Sequence, residues 1–285
     1  MLKKSINFKT IGLILRKETH LKKEYEKIQD IFAAFGAKVI LEENSANTIG
    51  LNGLPIKELS SACDLLISLG GDGTLLWTAR ESFSFQVPIL GICAGRLGYL
   101  TVLKMDELED FAAKLYKGEY KINTRAMFDV TLKKGKRETK STAFNEVVFT
   151  RAKIASMATI EAYANGEHFN SYFGDGVLLS TPNGSTAYNL SCGGPIVLPQ
   201  TQAMILTPIC PHSLTQRSIV LFNDYEITLK SKDNTVVIID GQDVYDMQNF
   251  DSVSVKYAKN GAKLVGKVEQ SDFSALKEKL LWGHK

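Results

Sequence analysis

The stretch Gly70-Gly71-Asp72-Gly73-Thr74 sets a carboxylate inside a glycine turn. The apolar run before it, residues 65–69, reads as a buried strand, and residues 75–80 after it continue as a helix. At such a corner, backbone N–H groups and the positive helix end attract phosphate, and glycine lets the chain come close to it. Asp72 does not suit a loop that only holds phosphate. Unit charges about 4 Å apart repel by about 1 kcal/mol in water, and by roughly four times that near a protein surface. The carboxylate makes sense if a divalent metal ion lies between it and the phosphates, or if it takes the proton of an attacking hydroxyl. An ordinary solvent-facing turn also carries Gly-Asp-Gly.

A second stretch runs Gly174-Asp175-Gly176 and then Ser180-Thr181-Pro182-Asn183-Gly184-Ser185-Thr186-Ala187-Tyr188. A strand here enters a turn of small polar residues. It offers backbone groups, hydroxyls and one aromatic ring, which match the needs of a ribose and a base. An ordinary Pro-Asn-Gly loop has the same composition. Asn145-Glu146 stands at the start of the apolar Val147-Val148-Phe149. Amide plus carboxylate can grip the two hydroxyls of a ribose, although a surface strand start reads the same way. His212, within Pro211-His212-Ser213, has no nucleophile or acid at a telling spacing and reads as a loop-fixing hydrogen bond.

Taken together, these segments resemble the NAD kinase family, ATP-dependent enzymes that phosphorylate the adenosine ribose of NAD. The match also takes in residues 91–100 and 208–214 and Asp240-Gly241-Gln242, so that its order and spacing cover most of the chain. The Ser-Thr-Pro stretch is the specific part, because the Gly-Gly-Asp-Gly turn is shared with diacylglycerol, sphingosine and phosphofructo-kinases. Cys93 and Tyr99 depart from the Asn and Phe usual in relatives. The resemblance implies an N-terminal α/β nucleotide domain, a β-sandwich-like C-terminal domain and a homotetramer or homodimer. It implies NAD against Asp72, Gly73, Asn145, Glu146, Asp175, Thr186, Ala187, Tyr188 and Ser191, with Asn145 and Glu146 on the ribose. ATP phosphates would meet the amides of Gly70, Gly71 and Gly73. Asp72 would accept the hydroxyl proton, and magnesium would bridge the phosphates with its protein ligands unassigned. A lipid or sugar kinase sharing the glycine turn, and an NAD(P)-binding regulator without turnover, are the rival readings. The first leaves the Ser-Thr-Pro stretch unexplained and the second leaves Asp72 without a purpose.

The elements that must position these residues follow from periodicity. Strands are expected at 10–15, 38–41, 65–69 and 87–93, with helices marked by Leu21, Tyr25, Ile28, Phe32 and Phe35 and by Leu108, Phe111 and Leu115. Pro55 opens a short helix. Alternation of strand and helix predicts a parallel sheet, and the second glycine turn, Gly95 to Leu100, falls at the carboxyl end of a strand. From about residue 124 the chain turns strand-rich, at 128–132, 159–164, 226–229, 236–239, 253–257 and 263–268, with Asn165-Gly166 as a hairpin turn. The domains are therefore expected at 1–124 (α/β) and 125–269 (β-rich), with a terminal helix over 270–285 packing back on the first.

At 285 residues, 44% hydrophobic and 23% charged, the chain suits one large or two ordinary globular domains. A net charge of +3 is too mild to argue for nucleic acid or a membrane as partner. The four cysteines lie far apart with no C-x-x-C pair, which points to thiols in a reducing cytoplasm, and no segment reads as a leader or membrane span. Residues 261–268 have the glycine and lysine spacing of a P-loop, but Val268 stands where the magnesium-binding Ser or Thr belongs.

Overall fold

The computed structural model describes residues 8–17, 21–95 and 98–269, with 271, 273, 276, 277 and 280 beyond them. The terminal helix expected over 270–285 falls for the most part outside the described residues. Two compact units divide the chain: Met1–Thr124 with Ala262–Lys285, and Arg125–Gly261.

The first unit is built on strands β1 (Thr10–Leu15), β2 (Lys38–Leu41), β3 (Leu65–Gly70), β4 (Ile89–Cys93), β5 (Leu103–Lys104) and β6 (Lys121–Arg125), completed by β19 (Ala262–Gly266). Their order is β2-β1-β3-β4-β19-β6, with β5 also beside β4. The pairings of β1 with β2 and β3, and of β4 with β3, β5 and β19, are parallel. Helices α1 (Lys22–Ala33), α2 (Glu43–Thr48), α3 (Ile56–Ala62), α4 (Asp72–Glu81) and α5 (Leu108–Tyr116) connect them. Ile28 and Phe32 of α1 and Phe111 and Leu115 of α5 pack with Ile11, Leu13, Ile67 and Leu90 of the sheet. The opposite face takes α3 and α4 at close range. A Cβ on Gly12 would lie 2.9 Å from Leu59, and one on Gly91 would lie 2.3 Å from Leu75. Strands buried on both faces have no room for polar alternation, which is why they read as continuous apolar runs.

One strand departs from the sequence reading. Residues 263–268 were expected among the strands of the second domain, but Ala262–Gly266 lies between β4 and β6 in the first sheet. Leu264 and Val265 are both buried there, and parallel pairing with Ile89 and Leu90 satisfies their backbone. The apolar run specifies a strand without specifying which sheet takes it. The P-loop-like spacing is thus part of a strand and opens no helix.

The second unit contains two antiparallel sheets among the described residues. The first comprises β7 (Phe128–Lys134), β8 (Arg137–Ala143), β10 (Ala158–Ala164), β11 (Glu167–Gly174), β15 (Glu226–Lys230) and β18 (Ser252–Tyr257). The second comprises β9 (Glu146–Arg151), β12 (Gly176–Ser180), β13 (Ala203–Ile209), β14 (Ile219–Phe222), β16 (Thr235–Ile239) and β17 (Asp243–Asp246). Their orders are β11-β10-β15-β18-β7-β8 and β14-β13-β12-β9-β16-β17. Phe128, Val130, Ile160 and Val255 of the first share one core with Phe149, Val177, Leu179 and Val237 of the second, the arrangement of a sandwich. Asn165 and Gly166 both take positive φ, as a two-residue hairpin turn requires.

Phe149 is wholly buried in that shared core, whereas Ile154 is 91% exposed. Phe149→Ala is expected to destabilise the second unit by about 3–5 kcal/mol, and Ile154→Ala by less than about 0.5 kcal/mol. Urea unfolding followed by circular dichroism and tyrosine fluorescence checks both.

Candidate active site

In the first unit the chain runs from β1 to β2 on one side and to β3 on the other, so the strand order reverses between β1 and β3. Open α/β sheets bind ligands at the carboxyl ends of strands at such a point. Gly70 ends β3 there, beside Arg16, which follows β1 and donates its backbone N–H to Leu69 O. A Cβ on Gly70 would press 2.4 Å from Thr74 Oγ1, so the turn closes tightly only around glycine. Gly71 caps α4, Asp72 is its first residue, and Gly73 is exposed.

The Asp72 carboxylate faces its own chain. It accepts hydrogen bonds from the backbone N–H groups of Tyr99 (2.6 Å), Leu100 (3.0 Å) and Thr101 (3.1 Å), and a longer one from Thr101 Oγ1 (3.4 Å). Oδ1 takes three of these contacts and Oδ2 takes the one from Tyr99. Gly98 makes the approach possible, because a Cβ there would lie 1.9 Å from Asp72 Oδ1. Its N–H is taken by Thr101 Oγ1 at 2.9 Å. The two glycine turns read separately in the sequence are therefore one structure, tied by Asp72. Thr101, 1% exposed, belongs to it and carried no sequence signal beyond its proximity to the second turn.

In the second unit Asn145 and Glu146 open the central strand β9. Their backbone N–H groups and that of Phe144 all donate to the Asp240 carboxylate, at 2.7 Å from Phe144, 2.7 Å from Asn145 and 2.9 Å from Glu146. The Glu146 side chain is buried, and its Oε2 has no hydrogen-bond partner. Burial first, and the neighbouring Asp240 charge second, push its carboxyl up to about 8. Glu146 therefore keeps its proton at neutral pH and can donate as well as accept.

The Ser-Thr-Pro turn is docked on this strand start. Thr181 Oγ1 donates to Phe144 O at 2.7 Å, and Thr181 N–H to Asn145 O at 2.8 Å. A Cβ on Gly184 would lie 2.3 Å from Asn145 O. The turn continues through a 3-10 segment (Asn183–Thr186) into the short helix α6 (Tyr188–Ser191). Asn189, wholly buried, holds it from beneath: its amide donates to Ser185 O and Pro195 O, and its Oδ1 accepts from Thr207 Oγ1. Thr186 and Ala187 are half-buried and Tyr188 and Ser191 exposed, so the expected binding residues point outward while Ser185 and Asn189 fix the loop.

Asp175 forms a two-pronged ion pair with Arg151, Oδ1 to Nε and Oδ2 to Nη2, each at 2.9 Å. Sequence reading missed Arg151. Its place at the end of β9, in register beside the Asp175-Gly176 corner, emerges only once β9 pairs with β12. Asn145 and Glu146 thus start β9 where Ser180 ends β12, whereas Asp175 lies at the other end of the same strand pair, beside Arg151. His212 differs from expectation. Its backbone N–H donates to Phe173 O and its ring packs edge-on to Phe173, so main chain and aromatic contact fix that loop in place of a ring hydrogen bond. Among the described residues no group of three or more His, Cys, Asp or Glu is placed to hold a metal ion, and no helix is long and apolar enough to cross a membrane. The four cysteines are free.

Residues 19–120 match the family model of the ATP-NAD kinase N-terminal domain, and residues 144–266 that of the ATP-NAD kinase C-terminal domain. The chain is 48% identical over 277 residues to the NAD kinase of Sulfurimonas denitrificans, covering 96% of this chain and 98% of that one. It is 43% identical to the NAD kinase of Wolinella succinogenes, over 96% and 95% of the two chains. The crystal structure of yeast NADH kinase complexed with NADH superposes with a TM-score of 0.88 at 26% identity, covering 97% of this chain and 89% of that one. Two matched domains, chain-long identity and a shared fold have one reading: this chain belongs to the NAD kinase family.

Proposed function

We propose that this protein transfers the γ-phosphoryl group of ATP to the 2′-hydroxyl of the adenosine ribose of NAD, giving NADP and ADP. The observation that carries the reading is Asp72 at the first turn of α4, at the switch point of the parallel sheet, in a member of the NAD kinase family. Phosphate is favoured at that helix end, and an acid there suits transfer better than simple binding.

In this reading Gly70, Gly71 and Gly73 meet the ATP phosphates. Asn145 and Glu146 hold the acceptor ribose, Glu146 as a neutral acid able to donate to one hydroxyl. Asp175, Thr186, Ala187, Tyr188 and Ser191 receive the rest of the dinucleotide. Asp72 accepts the 2′-hydroxyl proton as the bond from that oxygen to the γ-phosphorus forms and the bond to ADP breaks. Its Oδ2, which accepts from Tyr99 N–H alone, has a lone pair for that proton. The transition state is loose and asks mainly for alignment and charge neutralisation. A magnesium ion, when bound, neutralises phosphate charge, and it needs few protein carboxylates because phosphate oxygens and water complete its shell. The exposed apolar residues Ile219, Val220 and Phe222 on the edge strand β14 suit contact between copies in a homodimer or homotetramer. Free thiols and the two nucleotides suit a cytoplasmic protein.

Asp72→Asn is expected to keep the fold and most NAD binding while turnover falls by about two orders of magnitude or more. NADP read with an NADP-specific dehydrogenase checks this, and near-normal turnover would remove Asp72 from the chemistry. Substituting each donor and acceptor in the same assay separates NAD kinase from the lipid and sugar kinases.

Glu146 gives a second test, independent of activity. Between its ordinary value of 4.5 and about 8 the unfolded chain releases this proton and the folded chain keeps it, so its burial lowers stability as pH rises through that window. Glu146→Gln does not titrate. Its stability relative to the unsubstituted protein should therefore grow by roughly 1–3 kcal/mol from pH 5 to pH 8, one pKa unit being about 1.4 kcal/mol. Urea unfolding of both proteins at the two pH values checks this; an unchanged difference between them would mean that Glu146 ionises normally.

A further inference from the structure

The structure assigns to Asp240 a part in substrate recognition: we infer that it is a positioning residue for the Asn145-Glu146 pair, acting through the backbone of residues 144–146. The inference rests on the reading that this pair holds the acceptor ribose.

Asp240 stands in a tight turn between β16 and β17. Asp240 and Gly241 have φ of +51° and +65°, and Gln242 N–H closes the turn onto Ile239 O at 2.9 Å. Asp-Gly is a favoured pair for such a turn, but Gly-Gly or Asn-Gly would build it as well. The turn alone does not call for a carboxylate. What a carboxylate adds is the grip on three successive N–H groups, with Oδ2 taking Phe144 and Oδ1 taking both Asn145 and Glu146. Asp240 N–H also donates to Glu146 O at 3.0 Å, so the two residues are joined in both directions. The residue is only 8% exposed.

Three N–H groups directed at one point fix the peptide planes on either side of Asn145 and hence the direction in which its side chain leaves the strand. The same carboxylate adds to what burial does to the charge of Glu146. Among the described residues the ionisable groups facing Glu146 are Asp240, from the β16–β17 turn, and Cys192, which follows α6. Its neighbour across β12 is Ser180, which carries no charge. With its own charge spent on main-chain N–H groups, Asp240 leaves none of them for Glu146, and its negative field opposes ionisation there. Glu146 is thereby kept as a donor for a hydroxyl.

Asp240→Gly keeps the positive φ and deletes the carboxylate, and Asp240→Asn keeps the shape and deletes the charge. Both are expected to raise KM for NAD about tenfold or more, the scale of a lost charged hydrogen bond, with kcat changed by less than about threefold. A merely structural role would not move the pH profile. In the unsubstituted protein KM for NAD should rise as pH passes about 8; in Asp240→Asn that rise should come at least about one pH unit lower. Amide NMR of the unsubstituted protein supplies a check that needs no variant. The N–H resonances of Phe144, Asn145 and Glu146 should move together in one acid titration, which Asp240→Asn abolishes. Asn145→Ala separates the two claims. If it raises KM for NAD and neither Asp240 variant does, the assignment of Asp240 is wrong; if Asn145→Ala leaves KM unchanged, the ribose reading of the pair has failed. Independent titration of the three resonances would also overturn the inference, whatever the kinetics.

Discussion

A carboxylate surrounded by three consecutive main-chain N–H groups recurs in both units, and the candidate residues of each unit depend on it. Asp72 holds residues 99–101 and Asp240 holds residues 144–146. Loops have few backbone partners of their own, and unpaired buried N–H groups are costly. A single anionic side chain satisfies three at once, with charge-assisted bonds that exceed ordinary ones in strength. Irregular backbone is thereby given the rigidity of a strand or helix while keeping the geometry a ligand needs. The two instances differ in what the anion is then asked to do. Asp240 is buried and remains within the frame. Asp72 is only partly buried, at the first turn of α4 beyond the carboxyl end of the interior strand β3.

Around the second anchor, inward-facing residues bracket the outward-facing ones. Ser185 and Asn189 face inward and satisfy Val197, Pro195 and Thr207, while Thr186, Ala187, Tyr188 and Ser191 are left available. The inward residues fix the backbone that carries the outward ones, so little of its freedom would remain for a ligand to remove. Gly184 and Gly194 permit this compactness: a Cβ on the second would lie 2.1 Å from the Asn189 amide.

Much of the first unit was legible because strands buried on both faces are continuous apolar runs and its helices have well-spaced apolar positions. Strands 10–15 and 38–41 begin and end where the pattern places them, and Gly36 and Gly118 stop their helices with positive φ. The second unit was legible only where alternation was strong. Strand β8, with Arg137, Glu138, Thr139 and Lys140, is polar enough to pass for a loop, and β11 carries Glu167, His168 and Asn170. Register decides those elements, and register is non-local. The same limit applies to the site. The residue types that do chemistry stood out, whereas Arg151, Thr101 and Asp240 matter through partners 24 to 96 positions away, which spacing cannot show.

The place of β19 has a consequence for how the protein is made. The second unit is an insertion: the chain leaves the parallel sheet after β6, builds two complete antiparallel sheets, and only then returns to fill the place between β4 and β6. On the ribosome, the segment up to β6 emerges with an apolar vacancy in its sheet, and that sheet stays unfinished until the whole second unit and β19 have been made. The later-synthesised sandwich, whose strands are all contiguous in the chain, can settle first.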